Sequence, residues 1–167
     1  MSTSKVPETK IAEKSKALDR VSFDDVVVTK EDVRNYLCPE ATDKEVFMAM
    51  GIMASYKLNP FKREVHLIKY KGSPAEVIVG YESYLKRAER SGNLKGWKCG
   101  LSEDKKQAWV KIWRSDWTEP FEWTVELSEF DKKRATWNQI PTFMAKKVAI
   151  AQGFRLAFPD ELGGMPY

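Results

Sequence analysis

The chain has 167 residues, 43% of them hydrophobic and 31% charged, enough to bury a core without disulfide or metal staples and too short for a two-domain enzyme of ordinary size. Its 28 basic and 24 acidic residues leave a formal net charge of +4 beside a single histidine, His66, and two cysteines, Cys38 and Cys99, that lack Cys-x-x-Cys spacing. Two-histidine metal motifs therefore cannot be built, a zinc or disulfide framework is disfavoured, and the composition calls for no cofactor.

Residues 1–28 are rich in lysine and glutamate with little periodicity, which predicts a poorly ordered or helical N-terminal arm ahead of a single domain over residues 29–167. The N-terminus has no apolar stretch behind its charges and no run is long enough to span a bilayer, so the expectation is a cytoplasmic protein with no membrane partner. Thr29 with Asp32 marks a helix start closed by Pro39, and Thr42-Asp-Lys-Glu45 is a capping box leading a helix to about Tyr56. Val65–Tyr70 and Glu76–Val79 read as a hairpin around Lys71-Gly-Ser-Pro74, with His66 a structural strand residue. Tyr81–Arg90 reads as a helix, and Trp97–Leu101, Ala108–Trp113 and Phe121–Leu127 as an antiparallel meander. A long helix from Pro141 to about Phe158 follows, with Ile140, Phe143, Met144, Val148, Ala151, Phe154 and Phe158 as its buried stripe. The fold class is α+β: an antiparallel hairpin and a three-stranded meander packed with helices, the long C-terminal helix lying across the sheet.

The net charge hides a segregation. Residues 58–98 carry 9 basic against 4 acidic side chains, residues 99–131 carry 4 against 8, and residues 132–158 carry 6 basic and none acidic. Two basic stretches flanking an acidic one point to a polyanion site, nucleic acid first, and to a second surface of opposite sign. No Gly-x-x-x-x-Gly-Lys-Ser/Thr loop and no Gly-x-Gly-x-x-Gly turn is present, which disfavours ATP-driven and dinucleotide chemistry. Asp104-Lys-Lys106 fits a fragment of a metal-nuclease motif, but it needs a further carboxylate on the same metal and lies in a predicted turn.

Leu58-Asn-Pro-Phe-Lys-Arg-Glu-Val65, followed by an apolar strand, then Val77-Ile-Val-Gly-Tyr81 and a helix, resembles the RecT/Redβ family of phage single-strand annealing proteins. So do Trp137-Asn-Gln-Ile-Pro141, Met144-Ala-Lys-Lys147 and Ala151-Gln-Gly-Phe-Arg-Leu-Ala-Phe-Pro159, in the same order and spacing, over roughly residues 29–167. The resemblance implies DNA recombination and repair through ATP-independent annealing in a bacterial host cell, by a homo-oligomeric ring or helical filament with no bond-making enzyme chemistry. Its partners would be single-stranded DNA and the annealed duplex intermediate. It also implies a partner exonuclease and a host single-strand-binding protein, docked by an acidic C-terminal region that this sequence, ending at Gly163-Gly-Met-Pro-Tyr167, lacks. Thr142 and Phe143 depart from the pattern, standing where relatives often place a basic residue.

Annealing requires cations that neutralise two phosphate backbones while base edges stay exposed. The first-rank candidates are Lys62, Arg63, Lys69 and Lys71 with Lys146, Lys147 and Arg155, the last two placed on one rim of the terminal helix. Lys86, Arg87, Arg114, Lys132, Lys133 and Arg134 are second-rank. Arg155 is alternatively a core arginine paired with Asp160 or Glu161. Among the aromatic residues, Tyr84 is open between base stacking and core, Trp137 leans toward an interface, and Phe61 is assigned to the core. Trp109, Trp113, Trp117 and Trp123 suit sheet packing or a subunit contact. A non-annealing single-strand coating protein is the competing function.

Overall fold

The computed structural model describes residues 19–23, 26–133 and 136–166. They fall into two compact units, one running to Val79 and the other beginning at Gly80, and each is described by itself. The α+β class holds, with antiparallel hairpins, a three-stranded meander and a long helix.

In the first unit, residues expected within the N-terminal arm form a hairpin, β1 (Arg20–Phe23) paired with β2 (Val26–Thr29). Val21 opposes Val28, and both are buried. These β-branched residues supply the strand signal, too short to register in a charged surrounding. Thr29 caps α1 (Lys30–Asp32) through a reciprocal box with Asp32, and the helix widens into a π-helical turn over Val33–Leu37, closed by the Cys38 amide on the Val33 carbonyl at 3.0 Å. Helix α2 (Asp43–Tyr56) starts at the Thr42–Glu45 capping box and buries Val46, Ala49, Met50 and Met53. Lys57, in the left-handed region at φ 48°, ends it. A 3₁₀ turn (Pro60–Lys62) then leads into β3 (Val65–Ile68), which pairs with β4 (Glu76–Val79) so that Val65 opposes Val79 and Leu67 opposes Val77.

The second unit opens with α3 (Tyr81–Arg90) and the meander β5 (Leu94–Leu101), β6 (Gln107–Arg114) and β7 (Phe121–Glu126). Along β6, Ala108, Val110 and Ile112 are buried while the alternate residues face the other side. Two short helices, α4 (Leu127–Phe130) and α5 (Thr136–Gln139), lead to α6 (Pro141–Ala157), and α7 (Pro159–Leu162) follows. Helix α6 packs on the buried face of the meander. Its buried side chains are Ala145, Ala149, Ile150, Ala151, Gly153, Phe154 and Ala157, whereas Ile140 and Phe143 are exposed. Of the predicted stripe, Ala151, Phe154 and Phe158 are buried and Met144 and Val148 pack partly buried against the core, so the expectation fails at Ile140 and Phe143 alone. Small residues line part of this face, where close approach of helix to sheet leaves no room: a Cβ on Gly153 would sit 2.3 Å from Cγ1 of Val110. Phe154 fills the remaining space, edge-on to Trp97 at 5.8 Å and stacked on Phe158 at 6.0 Å.

Candidate nucleic-acid interface

In the first unit the segment Leu58–Glu64 is locked by its own polar groups. Asn59 is buried, and its side-chain oxygen accepts the Phe61 amide at 2.9 Å and the Lys62 amide at 3.4 Å. The Asn59 amide donates to the Glu64 carboxylate at 2.9 Å, and the Glu64 amide returns to the Asn59 carbonyl at 3.2 Å. Arg63 adopts the left-handed conformation at φ 57° to end the turn. Buried Pro60 and this closed set of bonds leave Phe61, Lys62 and Arg63 exposed. Phe61, assigned from the sequence to the core, is 54% exposed; backbone locking turns its side chain out where an apolar residue would otherwise fold inward.

Lys71 is exposed in the β3–β4 turn, where Gly72 supplies the positive φ of 81° and Ser73 bonds back to Tyr70 at 3.0 Å. Among the described residues Lys62, Arg63 and Lys71 form no ion pair. Lys69 differs. Its ammonium lies 2.8 Å from the Glu45 carboxylate, with both side chains mostly buried. Glu45 also accepts the Ala75 amide at 2.8 Å while closing the capping box on Thr42. The Lys69 ammonium, then the Thr42 and Ala75 amides, hold the Glu45 carboxyl down at about 2. Lys69 thus clamps the hairpin to α2, a use of its charge that sequence spacing does not disclose.

In the second unit, Lys146 and Lys147 bracket the exposed ring of Phe143, at 5.9 and 5.0 Å from its centroid, and Lys147 lies 5.6 Å from the Tyr81 ring on α3. The departure at Phe143 thus sets an aromatic face between two cations. Arg155 is half-buried beside an open cavity of about 330 Å³ lined with Trp123, Gln152, Leu156 and Gly163. Lys147 leans on α3 and Arg155 on the β7 side, where Gln152 accepts the Trp123 indole N–H at 2.9 Å. The two do not share one rim, because packing elements stand on both flanks of α6.

Three candidates are placed by the structure in the packing of the second unit. Arg114 makes a two-pronged contact with Asp116 at 2.8 and 2.7 Å, donates to the Ala157 carbonyl at the end of α6, and lies 4.7 and 4.6 Å from the Trp117 and Phe158 rings. The Asp116 carboxylate raises its affinity for its proton still further. Trp137 is buried with Ala108, Val125, Ala145 and Ala149, so it packs the core instead of meeting an interface. Tyr84 is fully buried and its hydroxyl donates to the Pro166 carbonyl; it has no face to offer a base. Lys86 is exposed on α3 and Arg87 half-buried. Lys132 and Lys133 are exposed, the Lys133 amide bonding Asp131 at 2.8 Å, while Arg134 lies outside the described residues.

Part of the acidic stretch pairs with itself. Glu122 binds Lys111 at 2.5 Å, Asp116 binds Arg114, and Asp104 accepts the Ser102 hydroxyl at 2.6 Å and the Lys106 amide at 3.0 Å. The Ser102 hydroxyl, then the Lys106 amide, lower the Asp104 carboxyl below the usual range. Asp104 is thereby a turn-forming residue of the β5–β6 loop. Among the described residues no group of three or more histidine, cysteine or carboxylate side chains is placed to hold a metal ion, and no helix is long and apolar enough to cross a membrane.

No curated protein matches the sequence. The family comparison does: residues 25–167 match the RecT family, a span that takes in the locked Phe61 turn, the meander and the lysine-bearing terminal helix. The chain belongs to the RecT family, whose members anneal single DNA strands in recombination.

Proposed function

We propose that the protein binds single-stranded DNA through its phosphates and anneals complementary strands without ATP, as a DNA-bound oligomer in phage recombination. The observation that carries this reading is the form of its exposed and half-exposed cations. Lys62 and Arg63 follow Phe61 on a locked turn, and Lys146 and Lys147 bracket Phe143. Cations beside open aromatic faces bind a flexible polyanion without reading its sequence, which is the property annealing needs. Lys71 in the first unit and Lys86, Lys132 and Lys133 in the second are further exposed cations, and Arg155 reaches DNA from the lip of its cavity.

The test is to mix two complementary oligonucleotides with stoichiometric protein, add unlabelled competitor, and follow duplex formation with no nucleotide present. Duplex forming faster than in buffer supports annealing. Saturable single-strand binding that slows duplex formation overturns it in favour of a coating protein.

A further inference from the structure

We infer that Phe61 is a base-stacking residue, an aromatic side chain on a locked turn that receives a nucleobase of the single strand whose phosphates Lys62 and Arg63 hold. The inference rests on the annealing reading above and adds to it a contact with bases at a named side chain. Four observations carry it. Phe61 is 54% exposed although it follows the buried pair Asn59 and Pro60. The exposure is built in, since the Asn59 side-chain oxygen fixes the Phe61 and Lys62 amides, the Arg63 amide closes on the Pro60 carbonyl at 3.0 Å, and Arg63 is held at φ 57°. A backbone already fixed in place loses little freedom when a ligand covers the ring it carries. The two residues after it are exposed cations, while the nearby Glu64 carboxylate is turned to the Asn59 amide and does not oppose an anion.

An exposed apolar face followed along the chain by two exposed cations matches one repeat of a nucleic-acid strand, a base with its flanking phosphates. A protein partner would match it less well, because the core of a protein interface is depleted of lysine. Stacking also tolerates every base, whereas hydrogen bonding to base edges would block the pairing that annealing needs.

The experiment compares binding of a labelled thymidine oligonucleotide with that of an abasic oligonucleotide of equal length, which keeps the phosphates and removes the bases. Phe61→Ala should bind the thymidine strand at least about fivefold, and on the order of tenfold, more weakly, and the abasic strand as the unaltered protein does. Its salt dependence should be unchanged, since no phosphate contact is removed, and Phe61→Trp should bind at least as well as the unaltered protein. Equal affinity of Phe61→Ala for the thymidine strand, or an equal loss on both strands, overturns the inference while leaving DNA binding intact. No binding of either strand by the unaltered protein overturns the annealing reading as well. An unchanged urea midpoint shows that the exposed substitution leaves folding undisturbed.

Discussion

Two lysines separated by one residue have different work. Lys69 is spent on Glu45, and Lys71 stands in the turn. Lys71→Ala should flatten the slope of log affinity against log salt by about 0.7, the share of one single-strand phosphate contact. Lys69→Met should leave that slope alone and lower the urea midpoint. The second effect has a pH signature. Because the Glu45 carboxyl is held at about 2 in the fold against its usual 4.5, the stability it contributes is complete above pH 4.5 and is lost as pH falls toward 2. The gap in urea midpoint between Lys69→Met and the unaltered protein should therefore be widest near neutrality and close on acidification through that window. A gap independent of pH would show that the ion pair does not hold the hairpin. Trp137 makes the complementary case, since it is only 9% exposed. Trp137→Ala should cost about 3 kcal/mol or more of stability, whereas Trp137→Phe should retain both fold and single-strand affinity. A stable Trp137→Ala protein that had lost DNA binding would return this residue to the interface.

Among the elements, the capped helices and the meander were the most legible, for reasons that lie in particular residues. Thr42 and Glu45 sit at the spacing that satisfies two helix-start amides, and both bonds form. The meander shows itself through the alternation of Ala108, Val110 and Ile112 with Trp109, Lys111 and Trp113. Helix α6 was located correctly and its buried face read in part: Ala151, Phe154 and Phe158 are buried, whereas Ile140 and Phe143 are exposed. A pattern search weights Ile140 and Phe143 over alanine and glycine, but the sheet approaches on the side of Ala145, Ala149 and Gly153, and closeness of approach is a property of two elements together. Gly153→Ala puts the two effects in opposition. Helix propensity favours alanine by about 1 kcal/mol, while forcing a Cβ against buried Val110 costs about 1–3 kcal/mol. Because Val110 is fixed in the central strand of the meander, strain should win, and the urea midpoint should fall. A stabilised variant would mean that α6 can lift from the sheet at little cost. The site was legible to the same degree. Lys62 and Arg63 are exposed and Lys146 and Lys147 half-exposed around Phe143, as the proposed DNA contact requires, but the Glu45 partner of Lys69 and the Ala157 carbonyl that Arg114 reaches lie 24 and 43 residues away along the chain, beyond the reach of any local pattern.

For the molecule as a whole, the segregation of charge bears on assembly. Within residues 99–131 Glu122 pairs with Lys111, Asp116 with Arg114 and Asp104 with Lys106, and among the described residues no acid pairs with Lys146 or Lys147. Glu103, Glu119 and Glu129 remain exposed. A surface of each sign on every subunit permits a head-to-tail contact that repeats along a strand as a ring or filament. Sedimentation with two complementary oligonucleotides added in sequence, long enough for several subunits, should give complexes of many protomers per duplex. One protomer per duplex at saturating protein would sink the proposal.

The Glu45 carboxylate answers at once to Thr42, three residues away, to Lys69 at 24 and to Ala75 at 30. One side chain therefore completes a local helix start and a distant hairpin together. The first turn of α2 cannot fray without releasing the Ala75 amide, and the hairpin cannot detach without uncapping the helix. A breathing motion that would elsewhere be confined to a few residues becomes a single opening event shared by both elements, and hydrogen exchange at the amides of Thr42 and Ala75 should follow one common rate.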